Sequence, residues 1–107
     1  MYYLAFVRIH SRADITKPFY SDGTLTLDAF KKLVNARTKP LTTLAKPNDP
    51  YEVDIYEFEM LIDIKKFLLI FFMNYEDMKD VEVPAPKVAT AKSVIPEDIR
   101  SFEIEWN

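Results

Sequence analysis

The chain has 107 residues, of which 49% are hydrophobic and 15 are aromatic, and it contains one glycine and no cysteine. This length and apolar content predict a single domain over residues 1–107 with its own core, and the missing cysteines exclude disulfides, thiolate metal sites and a cysteine nucleophile. The net charge of −3 hides an asymmetry, because residues 1–48 hold eight Lys and Arg against three Asp, while residues 49–107 hold six against fourteen Asp and Glu.

The N-terminal residues, Met1 to Arg8, lack the basic start, apolar stretch and small-residue cleavage site of a signal peptide. The strongest apolar run, Phe67 to Met73, has seven residues, whereas a membrane-spanning helix needs about 20. Both observations predict an intracellular, cytoplasmic protein without a membrane segment.

Residues Tyr2 to His10 are rich in aromatic and β-branched side chains, which predicts a β-strand. Leu4 and Phe6 would face one side and the alternate residues the other, so both faces of the strand are expected to be covered. The next residues, 11–23, contain a proline, several polar side chains and the glycine, and they predict a loop.

A short helix is predicted next, capped by Thr26 or Asp28 and ending near Ala36. Its apolar residues recur at helical spacing. They are Leu27, Phe30, Leu33 and Val34. Residues 37–48 contain two prolines and predict a connecting segment.

The residues that follow carry a clear helix-start signal. Asp49 is a good N-cap, Pro50 suits the first helical position, and Glu52 completes the spacing of a capping box. The apolar residues downstream then predict one long helix from Pro50 to about Asp77. The alternative is a strand over residues 51–60 followed by a helix, because apolar and acidic side chains alternate at the start of this range.

The C-terminal part of the chain begins with residues 84–96, which are rich in prolines and small residues and predict an extended surface linker. At the end, Phe102, Ile104 and Trp106 alternate with polar residues, which predicts a half-buried strand. The sequence therefore predicts an α+β fold, in which N- and C-terminal strands form a small antiparallel sheet packed on one long and one short helix.

Few residues support catalysis. His10 is the only histidine, and a structural or surface role is expected for it. One glycine excludes the glycine-rich loops that hold phosphates and dinucleotides. Glu59 and Asp63, four residues apart, would be close enough on a helix to share a divalent cation, but no histidine or calcium-loop spacing accompanies them. The sequence favours a non-enzymatic protein with no cofactor, no metal ion and no catalytic residue. A carboxylate-metal enzyme that uses Glu59 and Asp63 is the third alternative.

Six carboxylates lie between Asp49 and Asp63, with no Lys or Arg among them and with aromatic side chains interleaved. One interpretation is a solvated acidic face. The other is a docking surface for a basic partner, since aromatic residues commonly anchor interfaces. The expected protein-binding residues are Tyr51, Glu52, Asp54, Tyr56, Glu57, Glu59 and Asp63.

The apolar run from Phe67 to Met73 would point in every direction on a helix, and such a helix must be covered all round. Because two strands and one short helix offer little cover, a homo-oligomer interface is predicted here. Its expected residues are Phe67, Ile70, Phe71 and Met73. The alternative is a central helix wrapped by its own chain.

The leading hypothesis is a small protein-binding module, an inhibitor or an assembly factor, that acts as a homo-oligomer. The composition is typical of small accessory proteins of phages and mobile elements. The alternative is a nucleic-acid-associated protein that uses the basic N-terminal half and whose binding weakens steeply with salt. Its candidate residues are Arg8, Arg12, Lys31, Lys32, Arg37 and Lys39.

Overall fold

The structure is a computed structural model that describes residues 1–12, 18–73 and 82–107. Four strands form one antiparallel sheet with the strand order β2-β1-β3-β4. The α+β fold class and the antiparallel sheet are therefore confirmed. In chain order the elements are β1 (Tyr2–Ile9), β2 (Pro18–Tyr20), α1 (Leu27–Thr38), a 3₁₀ helix (Lys39–Leu44), β3 (Pro50–Phe58), α2 (Leu61–Met73), β4 (Lys87–Val94) and a second 3₁₀ helix (Ile99–Ser101).

The two central strands, β1 and β3, are paired over the whole length of β1, from Tyr2 opposite Phe58 to Ile9 opposite Tyr51. Both faces of β1 carry apolar residues, because side chains alternate between the faces of a strand, and Leu4 belongs to one hydrophobic cluster while its neighbours belong to another. The predicted N-terminal strand, covered on both faces, is confirmed.

The first face of the sheet is covered by α1, the first 3₁₀ helix and the C-terminal residues. Helix α1 begins after Thr26, whose hydroxyl accepts a hydrogen bond from the backbone N–H of Ala29 at 3.1 Å. Phe30 and Val34, four residues apart, are buried against the sheet. Leu33 was expected on the same face, but it is exposed because it lies to one side of the line joining those two residues.

The second face is covered by α2 at one end. Ile64, Phe67, Leu68 and Phe71 recur at helical spacing and are buried. They pack against Leu4 and other residues of the central strands. Within the described part of the chain, no helix has the length and apolar character needed to cross a bilayer.

The predicted long helix from Pro50 to Asp77 is wrong. The residues that would have begun it form β3, which pairs with β1 on one side and β4 on the other, and α2 ends at Met73. The capping signal is local, whereas a strand that fills the middle of a sheet gains hydrogen bonds and cross-strand packing from two neighbours. Asn48, with a φ of 64°, turns the chain into β3. The alternative, a strand followed by a helix, is what the structure shows, and residues 74–77 lie outside the described residues.

The predicted surface linker over residues 84–96 is also wrong in its main part, because β4 occupies positions 87–94 and forms an edge of the sheet. Its small residues suit this place, since Ala89 and Ala91 leave room for the core beneath them.

The C-terminal residues show the predicted alternation, with Phe102 and Ile104 buried and Trp106 half-buried. They form no strand beside β1, which pairs with β2 and β3 instead. Single hydrogen bonds hold this segment, among them those from Ile104 N–H to Asn35 Oδ1 at 2.7 Å and from Asn107 N–H to the Thr90 carbonyl at 3.0 Å. The alternation therefore predicted burial correctly and strand pairing incorrectly.

Two isoleucines test this arrangement. Ile55 on β3 is 0% exposed, whereas Ile62 on α2 is 50% exposed. Replacing Ile55 with alanine is expected to lower the free energy of unfolding by about 3 kcal/mol through lost burial and a cavity. The matched variant Ile62→Ala, measured like Ile55→Ala at a low protein concentration of about 1 µM, is expected to lower it by less than about 1 kcal/mol. Urea unfolding measures both values, and equal losses would contradict the buried central strand.

Candidate binding surfaces

The seven residues expected to form an acidic-aromatic surface do not share one face. Tyr51 and Asp54 are buried, and the next three, Glu52, Tyr56 and Glu57, are half-buried. Because side chains alternate along β3, Tyr51 and Glu57 lie on the face towards α1 and the other three on the opposite face. The exposed members of the set are Glu59 and Asp63.

Asp54 is the centre of a charged cluster on the second face of the sheet. It is 2% exposed, and its carboxylate accepts hydrogen bonds from Arg8 Nη2 at 3.2 Å and from Thr90 Oγ1 at 2.9 Å. Lys87 Nζ lies 3.5 Å from Oδ1. Thr90 stands directly opposite Asp54 on β4, so strand register places the donors. The buried charge is paired and hydrogen-bonded, which explains how the sheet tolerates it.

Tyr56 lies beside this cluster on the same strand. Burial, with a smaller contribution from the negative charge of Asp54, raises the pKa of the Tyr56 hydroxyl, against the opposing charges of Lys87 and Arg8. Burial is also the main cause that raises the pKa of Tyr3 and of Tyr51. The neutral phenol is therefore the form that the folded protein favours at these three positions.

The side of α2 that points away from the sheet is apolar and exposed. We call it the outer face of α2, and its apolar side chains are between 50% and 76% exposed. They are Ile62, Leu69, Ile70, Phe72 and Met73. Met60, just before the helix, is also exposed. Contiguous apolar surface of this kind marks interaction sites more often than single exposed residues do.

The structure divides the residues predicted for an oligomer interface. Phe67 and Phe71 are buried between α2 and the sheet, where Phe6 meets both rings. Ile70 and Met73 lie on the outer face of α2. The sequence analysis missed Leu69 and Phe72, although the run of apolar residues already indicated a helix with two apolar sides. Which residues point outward depends on how α2 lies on the sheet.

Charged residues lie at the edges of the outer face of α2 and within it. Lys65 and Lys66 are exposed near the middle of the helix, and Asp63 is exposed in its first turn. Over residues 1–12, 18–73 and 82–107, neither Asp63 nor Lys66 has an ion-pair partner. Among the same residues, no group of three or more His, Asp or Glu side chains is placed to hold a metal ion.

The basic residues considered for nucleic-acid binding lie on different sides of the molecule. Arg8 is on the second face of the sheet beside Asp54, whereas α1 covers the first face. Lys31 lies 5.5 Å above the ring of Trp106, and Arg37 lies 4.7 Å above that of Phe19. Lys39 donates a hydrogen bond to the Arg100 carbonyl. These side chains do not converge on one groove.

No protein-family model, curated protein or solved structure matches this chain.

The charged cluster predicts a specific loss of stability. Replacing Asp54 with alanine leaves Arg8 and Lys87 without their shared carboxylate, and we expect the free energy of unfolding to fall by about 2 kcal/mol. The control is Glu52→Ala, a half-buried acid on the same face of β3, for which a loss below about 1 kcal/mol is expected. Urea unfolding measures the loss of stability in both variants. A smaller loss for Asp54→Ala than for Glu52→Ala would show that the charged cluster does not stabilise the fold.

The raised tyrosine pKa values predict sensitivity to alkali. Because the folded state favours neutral phenols, its stability is fully present below the unfolded tyrosine pKa of about 10 and is lost as pH rises through the higher folded values. Melting temperatures measured from about pH 8 to about pH 12 are expected to fall less steeply for Tyr56→Phe than for the unmodified chain. Identical slopes would show that Tyr56 ionises equally easily in both states.

Proposed function

We propose that this protein is a non-enzymatic protein-binding module, of the inhibitor or assembly-factor class, whose contact surface is the outer face of α2. The observation that carries the proposal is the group of five large apolar side chains exposed along one helix. The inner side of the same helix is already buried against the sheet. Both sides of α2 are thus apolar, but only the inner side is buried against the sheet.

The chemistry of the outer face suits contact with another polypeptide. Aromatic, methionine and aliphatic side chains supply the anchors that dominate protein interfaces, and Phe72 and Met73 provide two of them. Met side chains adapt to the shape of a partner because they are flexible. Lys65 and Asp63, at the two edges of the face, contribute to the polar rim that usually surrounds such a centre.

The proposal moves the contact surface from the acidic-aromatic stretch to α2. Glu59 and Asp63 remain part of it, since they are exposed just before α2 and in its first turn. Tyr51 and Asp54 contribute to stability because they are buried in the sheet. A binding role without catalysis accords with the charged cluster around Asp54, whose carboxylate is fully engaged by neighbouring donors.

A pair of leucines tests the proposal. Leu69 is 65% exposed on the outer face of α2, and Leu33 is 40% exposed on α1. Peptides from a random display library are selected on the immobilised chain, and their affinities are then measured for Leu69→Asp and Leu33→Asp. Leu69→Asp is expected to weaken binding at least about 30-fold, because it places a charge in the centre of an apolar contact.

The control variant Leu33→Asp is expected to bind the selected peptides as the unmodified chain does. Circular dichroism confirms that both variants keep their fold. If a monomeric chain enriches no peptides, or if the enriched peptides bind both variants equally, the outer face of α2 is not the binding surface.

A further inference from the structure

We infer that the outer face of α2 pairs with α2 of a second copy of this chain, in an antiparallel arrangement about a two-fold axis. This inference rests on the proposed function, because it takes the outer face of α2 to be a protein-contact surface. It adds the identity of the occupant and the geometry of the pair. The arguments are the area of the face and the pattern of its charges.

The area is close to what a dimer requires. A large apolar side chain offers on the order of 200 Å². Five such side chains, each exposed by half to three-quarters, therefore present about 600 Å², near the roughly 800 Å² that each partner contributes to a standard interface. Met60 and the aliphatic stems of Lys65 and Lys66, which are all exposed, supply further contact.

The charges give the orientation. At 3.6 residues per turn, Asp63 and Ile70 lie at one edge of the outer face, and Lys65 and Phe72 lie at the other. Lys66 lies within the face, on the same side of its centre line as Asp63. In an antiparallel pair with two-fold symmetry, each edge meets the same edge of the partner helix. Asp63 of one copy can then meet Lys66 of the second copy, and symmetry forms the same pair twice.

The parallel arrangement is worse on the same grounds. It places Lys66 at the same height as Lys66 of the second copy, close to the centre of the contact, where like charges repel. Only the antiparallel pair gives Asp63 and Lys66 opposite partners across the same edge, and both side chains lack an ion-pair partner within the described part of the chain.

Light scattering behind size exclusion measures the mass of the chain from about 1 µM to about 1 mM, which covers the usual range of weak and moderate affinities. The unmodified chain and Leu33→Asp are expected to be dimers at the higher concentrations. Leu69→Asp is expected to be a folded monomer. A monomeric unmodified chain throughout this range would overturn the inference.

A charge exchange tests the geometry. Lys66→Asp places two acids opposite each other and is expected to weaken the dimer at least about tenfold. The double variant Asp63→Lys with Lys66→Asp restores both pairs with their signs reversed, and we expect its dissociation constant to return to within about threefold of the original. Lys32→Asp, on α1, is the control and leaves dimerisation unchanged. A double variant no tighter than Lys66→Asp would overturn the antiparallel pairing.

The other possible occupants of this face give separate results. A monomer that binds selected peptides through Leu69 retains the proposed function but overturns the second copy as the occupant. A monomer that binds no peptide and sediments with anionic phospholipid vesicles overturns both and assigns the face to a lipid surface. A dimer that dissociates in Leu69→Asp supports the second copy, whether or not heterologous peptides are also selected.

Discussion

The pairing of β3 with both β1 and β4 is the interaction on which the rest of the structure depends. It joins the basic N-terminal half to the acidic C-terminal half, and the bond between Arg8 and Asp54 is one place where the two halves meet. A charged residue in a central strand would normally destabilise a sheet. The register of the strands offsets the cost of the buried Asp54 charge. It places Thr90 opposite Asp54 and brings Arg8 and Lys87 close enough to share the carboxylate.

The same sheet determines which side of α2 is buried and which side is exposed. Its first face is covered by α1, a 3₁₀ helix and the C-terminal residues, which together bury Phe30, Val34 and Phe102. Its second face has α2 at one end, held by residues that include Phe67 and Phe71. Because α2 reaches the sheet with one side, the opposite side must face solvent or a partner.

The sequence predicted β1 and α1 because their signals are local: alternation in one case, and the Thr26 cap with helical spacing in the other. It failed at β3, where the local capping signal competed with pairing to residues far away in the chain. It failed again at β4, whose small residues lie between Pro86 and Pro96 and resemble a linker until the neighbouring strand is known. Pairing between distant strands leaves little trace in any single segment.

The predicted binding residues depended on the same long-range pairing at β3, but those of α2 did not. On a helix, several acids of residues 51–63 would share one side, whereas on a strand they alternate between the two faces of the sheet. The wrong prediction at β3 therefore also made the predicted acidic surface wrong. The apolar character of α2, by contrast, was visible in the sequence and survives in the structure. Packing on the sheet requires apolar residues at Ile64, Phe67 and their inward neighbours. It makes no such demand on Leu69 or Met73, where lysine would fit the fold and favour solubility. The contact surface that we propose for the outer face of α2 accounts for apolar residues at these positions.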